Sequence, residues 1–311
     1  MRLKDKVAIV TGSTSGIGEA AAVLFAREGA KVVVVGRRRN EGEKVVKQIR
    51  GSGGEAILVR TDVTKEDQVK RMVKETVKIY GKIDVLFNNA GAMVTKKFHE
   101  TTNEEWDLVM NVDLKGVFWC SKYVVPYMKK QGGGSIIMCS SANAIVAEPD
   151  IGAYCAAKGA INAMTRSMAL DYGPDRIRVN AICPGYIDTP LGDDYFNKLP
   201  DPAGAKRKAG ALHALGRMGA PMEIAYCALF LASEESSFVT GECLVADGGL
   251  SSIWLLVAST IRELVLSSEI ILPENSSPFF VEPLREALAT REAALGIEGC
   301  PGAPEGAAGV A

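Results

Sequence analysis

The sequence predicts an α/β chain: a single domain built on a doubly wound parallel sheet, with a C-terminal extension. Three observations carry that prediction. Short Val/Ile/Leu runs alternate with segments of helical apolar spacing from Lys6 to Gly249. The runs are continuous rather than alternating, as strands covered by helices on both faces are. The chemically interesting residues cluster where those strands end, which is where open parallel sheets bind their ligands.

The elements follow in order. "KVAIVTG" (6–12) reads as a buried strand ending in Gly, and "GIGEAAAVLFAREG" (16–29) as a helix stopped by Gly29. "AKVVVVG" (30–36) is a second strand and 41–54 a second helix. "EAILVR" (55–60) is the third strand, before a helix over 65–81 that closes on Gly81. "IDVLFNNAG" (83–91) is the fourth strand, with one long helical region across roughly 104–130. "GSIIMCSS" (134–141) is the fifth, followed by a helix over 152–172. "RIRVNAICPG" (176–185) is the sixth. A polar, mobile stretch at 190–215 follows it, then a helix over 221–232 and a last strand, "ECLVADGG" (242–249). Right-handed crossovers fold this alternation into a doubly wound sheet.

Composition narrows the function. The 311 residues carry a net charge of −1, which gives no electrostatic reason to expect nucleic acid or an anionic membrane as a partner. Seven cysteines, an odd number with no C-x-x-C pair, read as reduced thiols of a cytoplasmic protein. The two histidines, His99 and His213, lack ligand spacing, so no metal site is expected. "MRLKDKVAIVTG" runs directly into a strand, so no signal peptide is expected. The most apolar segment, from Ile253, is broken by Arg262 and Glu263 and predicts no membrane span. Composition shifts near residue 253. Residues 254–311 hold 3 Arg, no Lys and 8 Glu, a net of −5, against +4 for the rest. Residues 1–253 therefore read as the folded domain. Residues 254–311 read as an acidic, partly disordered extension with one short helix over 282–296.

Five strand ends carry chemistry. "TGSTSGIG" (11–18) places Gly12, Gly16 and Gly18, with Ser13, Ser15 and Ile17, between a strand and a helix. Such glycines let the backbone approach a pyrophosphate, which rests on the first amides of the helix. "GRRRN" (36–40) puts Gly36 where an acid would grip a ribose 2′-hydroxyl, and three arginines after it. Guanidinium forks suit a 2′-phosphate, although three adjacent arginines cannot all face one group. Asp62 and Val63 close the third strand, Asp62 reading either as an adenine contact or as a helix cap. Asn89, Ala90 and Gly91 close the fourth. After the fifth come Ser141, Tyr154 and Lys158.

Tyr154 and Lys158, four residues apart, share one helix face. An ammonium ~4 Å from a phenol contributes roughly 4 kcal/mol at an effective dielectric of about 20. At ~1.36 kcal/mol per pKa unit, that brings a tyrosine from about 10 to near 7, where a general acid/base works best. Burial pushes the other way, so the ammonium and the charge of a bound cofactor have to win. A surface ion–phenol pair is the plain alternative reading of these two residues.

Taken together, TGxxxGIG, NNAG, Asn111, Ser141, the Tyr-x-x-x-Lys of 154–158 and "PGYIDT" (184–189) resemble the classical short-chain dehydrogenase/reductase family over about residues 3–250. The resemblance implies a Rossmann-type fold and hydride transfer between a nicotinamide cofactor and a secondary alcohol or ketone. It implies Tyr154 as acid/base, with Lys158 lowering its pKa and bonding the nicotinamide ribose. Ser141 would position the substrate oxygen, and Asn111 would hold a relay water. Pro184, Gly185, Ile187 and Thr189 would hold the carboxamide, and Arg37 would meet a 2′-phosphate, so NADP(H) is preferred and NAD(H) admitted. The glycine loop itself carries no basic residue; Ser15 stands there. A homotetramer or homodimer is implied, built from 104–130, 152–172 and the last strand. The stretch 190–215 reads as a substrate lid whose Leu191, Tyr195, Phe196, Leu199, Leu212 and Leu215 suit an apolar or cyclic substrate better than a highly charged one. Reduction of 3-oxoacyl thioesters on a carrier protein, and a nicotinamide-binding sensor without turnover, are the alternatives. Chains of this kind generally end soon after a "DGG" like that at 247–249, and this one continues.

Overall fold

A computed structural model describes residues 1–252. The expectations for 254–311 lie outside the described residues. Seven strands form one parallel sheet: β1 (Val7–Thr11), β2 (Lys31–Gly36), β3 (Glu55–Arg60), β4 (Val85–Asn88), β5 (Gly134–Cys139), β6 (Ile177–Pro184) and β7 (Cys243–Ala246). Their spatial order is β3-β2-β1-β4-β5-β6-β7. The order reverses between β1 and β4, which opens a crevice at their carboxyl ends. Val10 pairs with Phe87, so the chain leaves the two strands side by side, at Gly12 and Asn89.

The continuous apolar runs are buried on both faces, as expected. On one side Ala8, Val10, Val32 and Val34 pack with α1 (Gly16–Arg27), α2 (Arg39–Gly51) and α9 (Pro221–Ala232). On the other, Ile9, Val33 and Val35 pack with α3 (Glu66–Tyr80), α5 (Gly116–Gln131) and α6 (Gly152–Tyr172). The period-2 geometry of a strand sends neighbouring valines into opposite cores. Helix α3 stops where expected, on Gly81 at φ +79°. Among the described residues no helix is long and apolar enough to cross a membrane.

Two regions differ from the reading of the sequence. The stretch at 190–215 is not a mobile loop; it folds into α7 (Pro190–Phe196) and α8 (Pro202–Ala211). Each starts on Pro, and each is capped: Thr189 Oγ1 accepts the Gly192 amide at 3.2 Å, and Asp201 Oδ1 the Gly204 amide at 2.9 Å. The single helix expected over 104–130 is two, α4 (Asn103–Val109) and α5, joined by a π turn over Met110–Lys115. There the Gly116 amide reaches back five residues to the Asn111 carbonyl. The extra residue rotates the turn and buries Asp113 completely. π turns inside helices frequently mark functional sites.

Candidate active site

The glycine loop joins β1 to α1. Gly12 and Gly16 adopt φ of +65° and +59°, the left-handed region. A Cβ on Gly12 would lie 2.7 Å from the Ala90 Cα, and one on Gly18 would lie 2.5 Å from the Asn89 amide nitrogen. Gly12 therefore lets the loop sit against the end of β4, and Gly18 lets α1 pack on it. Ser15 occupies the N-cap of α1 yet makes no capping bond, which leaves the first amides, beside Gly16 and Ile17, for an anionic group. Ser13 was expected among the cofactor contacts. It is instead fully buried, donating to the Val10 carbonyl at 2.6 Å and accepting the Val35 amide at 2.9 Å. Neither Ser13 nor Gly18 lines the cleft.

The three arginines after β2 divide their work. Arg38 reaches back over the loop and donates to Thr14 Oγ1 at 3.1 Å and Ser15 Oγ at 2.6 Å. Arg37 lines the cleft, and Arg39 turns away to pair with Glu43 at 2.8 Å. The basic group missing from the loop's own sequence is thus supplied in space by Arg38. A Cβ on Gly36 would sit 2.6 Å from Thr14 Cγ2, so no acidic side chain fits at that position without displacing Thr14.

The other strand ends complete one wall. Asp62 and Val63 line the cleft; Asp62 Oδ1 accepts the Thr64 amide and hydroxyl at 3.0 and 2.8 Å. It forms a turn and does not cap α3, whose N-cap is Lys65. Asn89 ties β4 to β1, its side chain donating to the Thr11 carbonyl at 3.0 Å, with Ala90 and Gly91 beside it in the cleft. Pro184, Gly185, Ile187 and Thr189 line the far end. Buried His213 fixes that turn. Its Nε2 accepts the Tyr186 amide at 3.1 Å, which leaves Nδ1–H to donate to the Ala209 carbonyl at 2.9 Å.

Ser141, Tyr154 and Lys158 meet in the same cleft, which encloses about 640 Å³. Ser141 follows β5; Tyr154 and Lys158 lie in the first turns of α6. The Lys158 ammonium is 5.3 Å from the Tyr154 ring centre and donates to the Cys139 carbonyl at 2.8 Å. The Ser141 hydroxyl accepts the Asn143 amide at 3.0 Å and donates to its side-chain oxygen at 3.1 Å. Asn111 lies in the π turn, where its carbonyl accepts the Gly116 amide, and it is not among the residues lining the cleft. The side chain that arrives from that turn is Asp113, two residues on. Its Oδ2 is 3.0 Å from the Lys158 ammonium, and its Oδ1 accepts the Ala92 amide at 2.7 Å.

The electrostatics correct a second expectation. Burial pushes the Tyr154 phenol up to about 12. Lys158, and less strongly the neighbouring Ser141 hydroxyl, pull it down, while Asp113 and Cys139 push it further up. The ammonium alone therefore does not bring the phenol near 7. The sequence shows Lys158 four residues away, but not the carboxylate that offsets it. Burial lowers Lys158, and the charge of Asp113 more than reverses that, holding the ammonium above its ordinary range. Asp113 itself is raised by burial against the pull of Lys158.

Glu148 and Tyr186 also line the cleft, and sequence reading assigned neither. The Tyr186 hydroxyl donates to Glu148 Oε2 at 2.8 Å; burial first, then the carboxylate, hold the phenol protonated. Tyr186 sits inside the quoted "PGYIDT", and Asp113 interrupts the apolar spacing of its helical run. Those were the available signals. Glu148, in the bend before α6, gave none.

The comparisons agree with this geometry. A family model described as Enoyl-(Acyl carrier protein) reductase matches residues 12–251. A 3-oxoacyl-(acyl-carrier-protein) reductase FabG of Thermotoga maritima is 43% identical over 250 residues, 80% of this chain and 99% of that protein. An NADP-dependent (R)-specific alcohol dehydrogenase of Lentilactobacillus kefiri is 41% identical over 256 residues, 81% of this chain and 98% of its own length. The crystal structure of a short-chain type dehydrogenase/reductase from Mycobacterium marinum superposes with a TM-score of 0.75 at 34% identity. It covers 80% of this chain and 96% of that one. Identity at this level across nearly the full length of each relative makes the chain a member of the short-chain dehydrogenase/reductase family, whose oxidoreductases use nicotinamide cofactors.

Proposed function

We propose that the protein is a carbonyl reductase and alcohol dehydrogenase acting on uncharged ketones and secondary alcohols, with NADP(H) preferred over NAD(H). The observation that carries this reading is the convergence of Ser141, Tyr154 and Lys158 in the cleft that begins at the glycine loop. The cradle fits a dinucleotide, because Gly12 and Gly16 let the backbone approach and the first turn of α1 is uncapped. When bound, the nicotinamide supplies or accepts the hydride. Ser141 holds the substrate oxygen, Tyr154 gives it a proton or takes one, and Lys158 keeps its charge beside the phenol.

Arg38, bonded to Thr14 and Ser15, and Arg37 at the rim put positive charge where a 2′-phosphate would lie. The excluded acid at Gly36 supports the same preference. The mouth supports an uncharged substrate. Met93, Leu108, Ile151 and Leu191 give it apolar walls, and the Glu148 carboxylate disfavours an anion. Six described cysteines are free, in keeping with a cytoplasmic protein. Exposed Leu108, Phe118, Leu170 and Val245, on α4, α5, α6 and β7, support a homotetramer or homodimer.

The second reading, a reductase of 3-oxoacyl thioesters on a carrier protein, is favoured by the name of the Thermotoga maritima relative. Turnover of a panel of neutral ketones, a charged keto acid and a 3-oxoacyl thioester, each with both reduced cofactors, separates the readings. The expected result is turnover of neutral ketones, faster with NADPH. Turnover of the thioester alone selects the second reading. Cofactor binding without oxidation on any carbonyl makes the protein a sensor.

A further inference from the structure

The mouth of the cleft has apolar walls, and one carboxylate–phenol pair set among them selects for a chemistry of its own. We propose that Glu148 and Tyr186 form a subsite for a hydroxyl group, so that the substrate is a neutral hydroxyketone or the corresponding diol. The inference rests on the reading of this cleft as a carbonyl reductase and narrows its substrate class.

Both partners are fixed before any ligand arrives. Tyr186 follows Gly185 at the end of β6, and its amide donates to His213 Nε2 at 3.1 Å. Its ring packs against those of Phe196 and His213, with 5.8 and 5.9 Å between centres. Glu148 lies in the bend before α6. That bend is pinned at Asp150, which adopts a φ of +64° and whose carbonyl accepts the Lys96 amide at 2.6 Å. The Tyr186 hydroxyl meets Glu148 Oε2 at 2.8 Å.

The pair offers acceptors and no free donor. Tyr186 has one O–H, and it is spent on the carboxylate. Burial first, then Glu148, keep that proton on the phenol. The carboxylate has further lone pairs, and among the described residues the Tyr186 hydroxyl is its one hydrogen-bond partner. Among the described residues no basic side chain pairs with it either. Lys96, beside the bend, pairs with Glu105 at 2.8 Å. Lys206, over the Phe196 ring, pairs with Asp188 at 3.2 Å and with Asp193. Tyr195 also lines the cleft, and burial first, then the Glu148 charge, hold its phenol above the usual range.

The walls around the pair include Met93, Leu108, Ile151 and Leu191. A pocket of this kind takes an apolar body and fixes it by a few polar groups. A ketone or ether oxygen brings only lone pairs to the pair and is repelled. An apolar group displaces water and leaves a carboxylate oxygen unpaired, which costs affinity. A hydroxyl supplies the missing donor without bringing a charge against the apolar walls. The reacting carbonyl goes to Ser141 and Tyr154, so the selecting hydroxyl is a second oxygen of the same substrate.

The test uses full-length protein, NADPH and a matched series: cyclohexanone, its hydroxy positional isomers, their methyl ethers, and the amino analogues that carry an ammonium. The best hydroxy isomer should exceed cyclohexanone in kcat/KM by about tenfold or more, mainly through KM. Its methyl ether should fall to the level of cyclohexanone or below. Glu148→Leu should bring hydroxyketone and cyclohexanone within about twofold of each other. Glu148→Gln gives the subsite a donor, so the methyl ether should gain on the hydroxyketone. Equal kcat/KM for hydroxyketone, ether and parent in the wild type overturns the proposal. So does a hydroxyl preference that survives Glu148→Leu. An ammonium analogue that outranks every hydroxy isomer also overturns it, making Glu148 a counter-ion. If no ketone is turned over, the carbonyl-reductase reading fails by itself, and calorimetric titration of a cyclohexanediol against cyclohexanol decides the subsite. A diol bound about tenfold tighter, with the difference lost in Glu148→Leu, keeps it. Equal affinities overturn it.

Discussion

The two ends of the cleft are made of different materials. The glycine-loop end is backbone: Gly12, Gly16 and Gly18 set its shape, and its main side-chain tie is Asn89 to the Thr11 carbonyl. The Tyr154 end is charge: an ammonium and a carboxylate, both buried, 3.0 Å apart beside a half-buried phenol. The first tolerates no added atoms. The second is sensitive to atoms that change sign or vanish without changing shape. Steric substitutions should therefore damage one end, and isosteric ones the other.

Three substitutions sharpen that contrast, in falling order of effect. Gly18→Val places its branch against Asn89 and the Gly12 carbonyl. It should cost about 3 kcal/mol of stability, the upper range for overpacking, seen as a lowered denaturant midpoint. An unchanged midpoint would show that α1 can retreat from β4. His213→Ala removes the acceptor of the Tyr186 amide and the donor to Ala209. The expected loss is about 2 kcal/mol, most of it from leaving buried groups unpaired, together with a raised KM for cofactor. A raised KM without any loss of stability would show that the turn needs His213 only for shape at the cofactor. Arg38→Ala should weaken NADPH about tenfold, or ~1.4 kcal/mol, and NADH little. Arg37→Ala should do less. Titration of both cofactors against both variants checks this, and the reverse ranking would restore Arg37 as the principal phosphate contact.

The same contrast explains what could be read from the sequence. Glycine positions are local. A turn that needs φ above zero, or a helix that has to approach a strand, is written at one residue, and the loop over 11–18 was legible for that reason. The buried parallel strands were legible from their unbroken valine runs, and α6 from its apolar spacing. Charge pairing is not local. Asp113 lies 45 positions from Lys158, and only the π turn and the packing of α6 bring the two together. The ammonium is visible in the sequence, but the burial and the carboxylate that oppose it at the phenol are not. That Arg38 joins Arg37 at the cleft is hidden in the sequence for a similar reason: which of three adjacent guanidinium groups turns inward depends on the pitch at which β2 ends. Helices α7 and α8 were missed because their evidence is in the caps, Thr189 and Asp201, rather than in an apolar stripe.

The central claim is that the Tyr154 phenol supplies the proton that hydride transfer requires. Its most direct test is a single turnover: protein loaded with NADPH is mixed with a neutral ketone, and the loss of reduced-nicotinamide absorbance is followed for wild type and Tyr154→Phe. The account predicts that both bind NADPH within about twofold, and that the variant's rate falls by roughly 10²–10⁴, the range for a lost general acid. Equal rates in the two proteins would contradict it.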